Sequence, residues 1–293
     1  MQSPRCVSLM HNVLESRKIS LYKYLTMILP PLHGKLNQSD FFIYAAADST
    51  YFDQYGKTLI NSVLKHTPYG VHMHIYNPTD AQIAFCDSID RVSATWEYIT
   101  QHDLQSAIDF WSKPHLTEPY LSRRNRMLGI KVVDKTLSIK DNVQQWLFKT
   151  YYACARFVRL ADITDANSTF LAIDVDGLVR GNFNYQFADN KDFYLYKKDK
   201  GGYLAGALLL SGSDGGRKFM LHLTDMIKSE MSKDNIYWFL DQWALDQIVD
   251  QYDKGYLPIN YIDWYMDPKS AIWSAKGKRK HLTVFTQEQK KYL

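Results

Sequence analysis

Phe41-Phe42-Ile43-Tyr44-Ala45-Ala46-Ala47-Asp48-Ser49-Thr50-Tyr51 begins with seven residues free of charge and ends on a carboxylate and three hydroxyls. An apolar run of this length without polar alternation reads as a strand buried on both faces, as in a parallel sheet. Asp48, Ser49 and Thr50 supply helix-capping chemistry, and Tyr51, Tyr55, Leu59 and Val63 then recur every fourth residue until Thr67-Pro68 stops the helix. Val71-His72-Met73-His74-Ile75-Tyr76 follows as a second strand, closed by Asn77-Pro78. The whole is a strand, helix, strand unit.

The alternation continues outward. A helix is expected from Asp80 to Asp90, a strand over Val92 to Tyr98, a helix over Trp146 to Leu160 and a strand over Thr169 to Ile173. Strands at Phe193 to Tyr196 and Tyr203 to Leu210 come next, then helices at Gly216 to Met231 and Ile236 to Tyr252. Residues 100 to 145 are polar, basic at Arg123, Arg124 and Arg126, and suggest no element. The pattern predicts an α/β fold with a central, mostly parallel twisted sheet flanked by helices, whose ligands gather at the carboxyl ends of the strands. No repeat or linker divides the chain. It reads as one domain over 41–293 behind an N-terminal helical extension over 1–40. In that extension Ile19 to Leu32 is read as an amphipathic helix, because Lys23 interrupts it and Pro30-Pro31 ends it short of the roughly 20 residues a spanning helix needs.

With 293 residues, 46% hydrophobic and 23% charged, the composition excludes disorder and a collagen-like chain. The formal charge of +4 is unevenly placed: residues 269 to 293 hold seven bases and one acid, which leaves −2 for everything before them. A mildly acidic body argues against a nucleic-acid surface and leaves one basic cluster to explain. Three cysteines far apart, without metal-type spacing, indicate a reducing, cytoplasmic setting; a peripheral membrane contact stays open.

Ile173-Asp174-Val175-Asp176-Gly177 places two carboxylates at i and i+2 where a buried strand ends. In an extended chain both point to one face, and two hard oxygen donors there suit Mg²⁺ or Mn²⁺. A pair of solvated loop aspartates is the plainer alternative. Asp241, in Phe239-Leu240-Asp241-Gln242-Trp243, shares the apolar side of its helix with Trp238, Leu245 and Ile248, so this carboxylate needs a partner.

From Phe41 to Lys280 the motifs resemble those of nucleotide-sugar glycosyltransferases of the GT-A fold, most of all glycosyltransferase family eight. Ala47-Asp48-Ser49-Thr50-Tyr51 is similar to the family's Ala-Asp-x-x-Tyr, in which the Asp meets the uracil edge and the Tyr stacks on the base. Tyr151 to Phe157 resembles its Tyr-x-Arg helix, which implies that Arg156 reaches the nucleotide or its phosphates. Asp174 and Asp176 stand at its Asp-x-Asp, implying Asp174 on ribose and metal and Asp176 on metal. Ala205 and Gly206 match its Asn-Ala-Gly strand near the donor sugar, with Leu204 in the place of Asn. Asp241 and Gln242 match the Asp-Gln pair beside the reactive sugar carbon, the implied catalytic residues. Gly277 and Lys280 match the loop that closes over the diphosphate, with Ser274 where the family carries a metal-binding His.

The resemblance implies transfer of a hexose, with retention, from a nucleoside-diphosphate sugar, UDP foremost, to a hydroxyl of a glycan, lipid-linked or small-molecule acceptor, aided by Mn²⁺ or Mg²⁺. A second resemblance is to the haloacid-dehalogenase-like phosphatases, whose strand also ends in Asp-x-Asp-Gly; Asp174 would be the nucleophile and Asp176 the acid. There Leu178 replaces the usual Thr.

Overall fold

A computed structural model of the chain describes residues 29–37, 39–112, 136–165, 167–198, 202–231, 236–275 and 277–293. Its eleven strands are β1 (His33–Gly34), β2 (Phe42–Asp48), β3 (Gly70–Tyr76), β4 (Val92–Glu97), β5 (Phe170–Ile173), β6 (Gly177–Val179), β7 (Phe193–Lys197), β8 (Tyr203–Leu210), β9 (Lys254–Tyr256), β10 (Ile262–Asp263) and β11 (Ile272–Ser274). Eight of them form one sheet in the order β1-β4-β3-β2-β5-β8-β7-β9, and β10-β11-β6 form a second. Strands β4, β3, β2 and β5 run parallel, while β8 is antiparallel to both β5 and β7.

The opening run behaves as its composition requires. On β2, Phe42 and Tyr44 enter the core on one face of the sheet, and Ile43, Ala45 and Ala47 enter the core on the other. The first face is covered by three helices: α4 (Ile139–Ile163), α5 (Asp214–Met231) and α6 (Leu240–Ile248). The second is covered mainly by α1 (Lys57–His66), through Leu59, Ile60 and Val63, with Cys86 of α2 (Asp80–Asp87). Burial on both sides explains why these strands show no polar alternation.

Between β2 and α1 the chain makes a single helical turn, Ser49–Tyr51, and then a π-helical turn, Phe52–Gly56. The wide turn closes tightly on itself, since a Cβ on Gly56 would lie 2.7 Å from the Phe52 ring. Helix α4 starts earlier than its apolar period suggests, because Ser138 caps it by accepting from the Asp141 amide at 3.1 Å. Three tyrosines hold α4 to the sheet: Tyr44 donates to the Arg156 carbonyl (2.8 Å), Tyr76 to the Tyr152 carbonyl (3.0 Å) and Tyr151 to Glu97 (2.8 Å). Glu97 also pairs with the buried guanidinium of Arg159 on the same helix. Beneath them His72 and His74 of β3 face the hydroxyls of β4 across the ladder. His72 bonds Ser93 (2.8 Å) and Thr95 (2.9 Å), and His74 bonds Thr95 (3.1 Å).

Several expectations change. The helix expected at Ile19 to Leu32 lies, up to residue 28, outside the described residues, and residues 29–32 are not helical. Strand β1 instead pairs residues 33 and 34 with β4 and so forms the edge of the sheet, and Arg159 donates to the Pro30 carbonyl at 2.5 Å. The basic residues Arg123, Arg124 and Arg126 lie outside the described residues, although α3 (Gln105–Trp111) now occupies part of the unassigned stretch. Strands β1, β6, β9, β10 and β11 are two or three residues long, too short to leave a periodic signal. Among the described residues no helix is long and apolar enough to cross a membrane, and Cys86 and Cys154 are buried, unpaired thiols.

Candidate active site

The candidate residues meet at the carboxyl ends of β2, β3 and β5, where a doubly wound sheet leaves its crevice. Asp48 ends β2 and does two things at once. Its carboxylate accepts from the Tyr51 amide at 2.8 Å as a helix cap, and it also lines a cleft of about 330 Å³ with Asn77, Phe148, Lys149 and Tyr152 among the other walls. Asn77, which follows β3 in a left-handed conformation (φ 52°), is fixed by Ile99, whose amide it accepts at 2.8 Å and to whose carbonyl it donates at 3.1 Å. Of this wall, Tyr152 lies in the helix expected at the nucleotide, whereas Asn77, Phe148 and Lys149 were not singled out, since an Asn-Pro after a buried strand marks only the turn. Ala47 is 4% exposed with its methyl in the core, so it can offer a ligand only its backbone.

Beyond β5 the chain does not stay extended. The Gly177 amide donates to the Asp174 carbonyl at 3.0 Å, closing a tight turn over Asp174-Val175-Asp176-Gly177. The i, i+2 spacing therefore does not put both carboxylates on one strand face. Each is directed to its own cation: Asp174 Oδ1 lies 2.6 Å from Arg156 Nη1, and Asp176 Oδ2 lies 3.3 Å from Lys280 Nζ.

Arg156 is the hub of the first cluster. From the middle of α4 it donates to Asp174, to Asp241 Oδ2 on α6 at 2.7 Å and to the Ala205 carbonyl on β8 at 3.0 Å. The partner required by the buried carboxylate of Asp241 is thus this guanidinium. Burial alone would lower the Arg156 pKa; Asp241 and Asp174 outweigh it and hold it above the ordinary guanidinium range. Gln242 completes the frame, accepting from the Ala205 amide at 3.0 Å and donating to Asp246 at 3.1 Å. Its amide oxygen keeps a second lone pair.

Gly206 is small for a local reason. A Cβ there would sit 2.5 Å from Asp174 Oδ2 and 3.0 Å from its Cγ, so Asp174 lies directly against the backbone of β8. Gly206→Ala is expected to push Asp174 off Arg156 and to lower stability by about 1–3 kcal/mol, the usual range for overpacking. Urea-unfolding midpoints of the two proteins check this; equal midpoints would refute it.

The second cluster forms around Lys280, in a 3₁₀ turn over Gly277–His281 that follows β11. Its ammonium donates to Tyr51 Oη at 2.8 Å and lies 4.7 Å and 5.4 Å from the ring centres of Tyr51 and Tyr55. Burial works against the charge, but Asp176 and the Tyr51 hydroxyl outweigh it, and the Lys280 pKa is raised. Tyr51, expected against a base, is held here to the Asp-x-Asp through Lys280. Gly277 is exposed with a left-handed φ of 67°. Of the other bases in this segment, Lys278 is exposed and Arg279 lies over the Tyr265 ring at 4.4 Å.

Asp174, Asp176 and Ser274 are the residues that could hold a hard cation. Strand β11 is locked to the Asp-x-Asp turn: Ser274 pairs with Gly177, and the Ala275 amide donates to the Asp176 carbonyl at 3.1 Å. Ser274 is wholly buried, and its hydroxyl has no hydrogen-bond partner in the described structure. Two carboxylates and an unsatisfied hydroxyl on the strand paired with their turn are oxygen donors of the kind that suits Mg²⁺ or Mn²⁺. Among the described residues no group of three or more His, Cys, Asp or Glu could hold a metal, so the fit rests on that hydroxyl or on water. The phosphatase reading gains no support from the structure, in which its supposed nucleophile, Asp174, is ion-paired with Arg156 at 2.6 Å.

No protein-family model matches the sequence, and no curated protein matches it. Solved structures do match in fold. Two structures of the glycosyltransferase GlyE of Streptococcus pneumoniae TIGR4 superpose with a TM-score of 0.51 at 12% and 14% identity, over 86% and 87% of this chain. The chain spans 60% of the length of GlyE. The galactosyltransferase LgtC, in complex with donor and acceptor sugar analogs, aligns at a TM-score of 0.48 and 13% identity over 86% of this chain and 94% of its own. The architecture is the GT-A fold.

Proposed function

We propose that the chain is a glycosyltransferase that moves a hexose from a nucleoside-diphosphate sugar, UDP foremost, to a hydroxyl of a glycan, lipid-linked or small-molecule acceptor. The observation that carries this reading is the Arg156 hub. One guanidinium joins Asp174, at the end of a parallel strand, to Asp241, on a helix 67 residues further along, beside a cleft headed by Asp48. Hydrolysis of a phosphoester needs no such pairing of the two aspartates.

In this reading the cleft between Asp48 and Tyr152 receives the nucleoside, with Asp48 accepting from the base and Phe148 and Tyr152 offering ring faces. The diphosphate lies toward Asp176 and Lys280, where the ammonium stabilises charge developing on the leaving group. Asp174, Asp176 and the Ser274 hydroxyl would hold Mn²⁺ or Mg²⁺, which supplies Lewis-acid stabilisation of that same leaving group. Asp241 and Gln242 stand at the sugar end, where a carboxylate or amide oxygen stabilises positive charge at the anomeric carbon, and Arg156 sets the position of Asp241. Ala205 and Gly206 form the floor beneath the sugar. Retention of configuration follows the family resemblance; a cytoplasmic location follows the three separated cysteines, and a catalytic domain over 41–293 behind the extension over 1–40 follows the absence of a linker.

The test is thermal stability with nucleoside diphosphates and Mn²⁺. UDP and Mn²⁺ together are expected to raise the Tm by more than their separate effects combined, and Asp176→Ala to remove that excess. No stabilisation by any nucleoside diphosphate would sink the reading.

A further inference from the structure

We propose that Lys280 is the internal counter-cation of the Asp-x-Asp turn: in the ligand-free protein its ammonium sits on Asp176 and competes with a divalent cation until a diphosphate draws it away. The proposal rests on the transferase reading for the identity of the anion.

The geometry is that of a built cradle. The Lys280 and Asp176 side chains are 14% and 11% exposed, and the ammonium is gripped by the Asp176 carboxylate, the Tyr51 hydroxyl and the faces of two tyrosine rings. A solvated surface lysine would have none of these contacts. The lysine sits in a five-residue 3₁₀ turn, and Gly277 at its start has no atom within 4 Å of the position a Cβ would take.

Charge shows why the two cations exclude each other. Among the described residues the two clusters contain three carboxylates, Asp174, Asp176 and Asp241, and two cations, Arg156 and Lys280. Arg156 is committed to Asp174 and Asp241 by short bonds at the centre of the fold. With Lys280 also in place these five groups sum to one negative charge. A divalent cation added to them would turn the sum positive and set two cationic centres on one largely buried carboxylate, where repulsion is poorly screened. A diphosphate reverses the balance: its oxygens give the ammonium a new partner and give the metal two further donors. Metal and diphosphate must then strengthen each other's binding, by linkage.

The test measures Mn²⁺ affinity of the full chain without nucleotide, by titration calorimetry or by the loss of the free-ion paramagnetic resonance signal. Lys280→Met keeps the stem and removes the charge; it is expected to tighten Mn²⁺ binding about tenfold, within the usual span of couplings between sites. UDP is expected to tighten Mn²⁺ binding in the wild type and to do so less in the variant. Unchanged or weaker binding in Lys280→Met, or no Mn²⁺ binding by either protein, would overturn the proposal. Should that variant not fold, Tyr51→Phe removes the 2.8 Å bond that steadies the ammonium. Tighter Mn²⁺ binding is again the supporting result and unchanged or weaker binding the contrary one. UDP titrated without metal reads the transferase proposal separately, because its failure to bind leaves the Mn²⁺ comparison intact.

Discussion

Arg156→Met is expected to lower stability by about 3–5 kcal/mol and to abolish sugar transfer, because it removes the shared partner of two buried or half-buried carboxylates. Methionine fills much of the same volume, so the loss reports charge more than packing. Asp174 and Asp241 would repel each other across the vacated space, and the Ala205 carbonyl would lose its donor. Arg156→Lys should recover part of the stability and little of the activity: an ammonium lacks the planar fork that serves two carboxylates and a carbonyl together. Urea unfolding and UDP release from the donor measure the two effects. A variant as stable as the wild type would show that the hub is not the structural centre of the site.

Acid should weaken the fold through β3. Burial pushes the His72 pKa down to about 3 and holds His74 well below its ordinary value, with Arg159 and His72 lowering it further. The unfolded chain takes up these protons near pH 6.5, whereas the folded chain refuses them until far lower pH. The stability they secure is therefore complete above about pH 6.5 and lost as the pH falls through the window down to about 3. For His72 alone the full window is worth about 5 kcal/mol, of which about 2 kcal/mol is gone by pH 5. His74 adds in the same direction. Urea midpoints at pH 7.5 and pH 5 should differ strongly in the wild type and less in His72→Gln, which keeps hydrogen-bonding capacity without titrating. Equal pH slopes in the two proteins would contradict the account.

How much of this was legible in the chain depends on the length of the signal. The seven-residue strand at Phe42–Asp48 and the eight-residue strand at Tyr203–Leu210 announce themselves, because burial on both faces leaves only apolar residues. So do the ends of β2 and of the apolar β5, which is why Asp48 and Asp174 could be singled out. The partners of those carboxylates could not be read in the same way. Nothing local to Arg156 says that it faces Asp241, 85 residues away, rather than solvent or a phosphate. Nor does Lys280 reveal that it folds back 104 residues to Asp176, since the strands that return it are two or three residues long. The same-face rule for i and i+2 failed at Asp174 and Asp176 because the chain turns as soon as β5 ends, with the Gly177 amide donating back to the Asp174 carbonyl. The early start of α4 was missed because its first turns are polar and are specified by the Ser138 cap instead of an apolar period.

The π-helical turn at Phe52–Gly56 marks a phase step between two rigid parts of the molecule. A π turn holds one residue more than an α turn, and in an α-helix each residue advances the face by about 100°. Upstream of it, Asp48 and Tyr51 are registered to the end of β2; downstream, Leu59, Ile60 and Val63 are registered to the sheet face that α1 covers. A chain one residue shorter here could run as a regular helix, but only by rotating one register against the other. Either α1 would turn its apolar stripe off the core, or Tyr51 would swing away from the ammonium it steadies. The extra residue thus works as a vernier, letting the helix that builds the core and the strand end that builds the cleft each keep the orientation it needs.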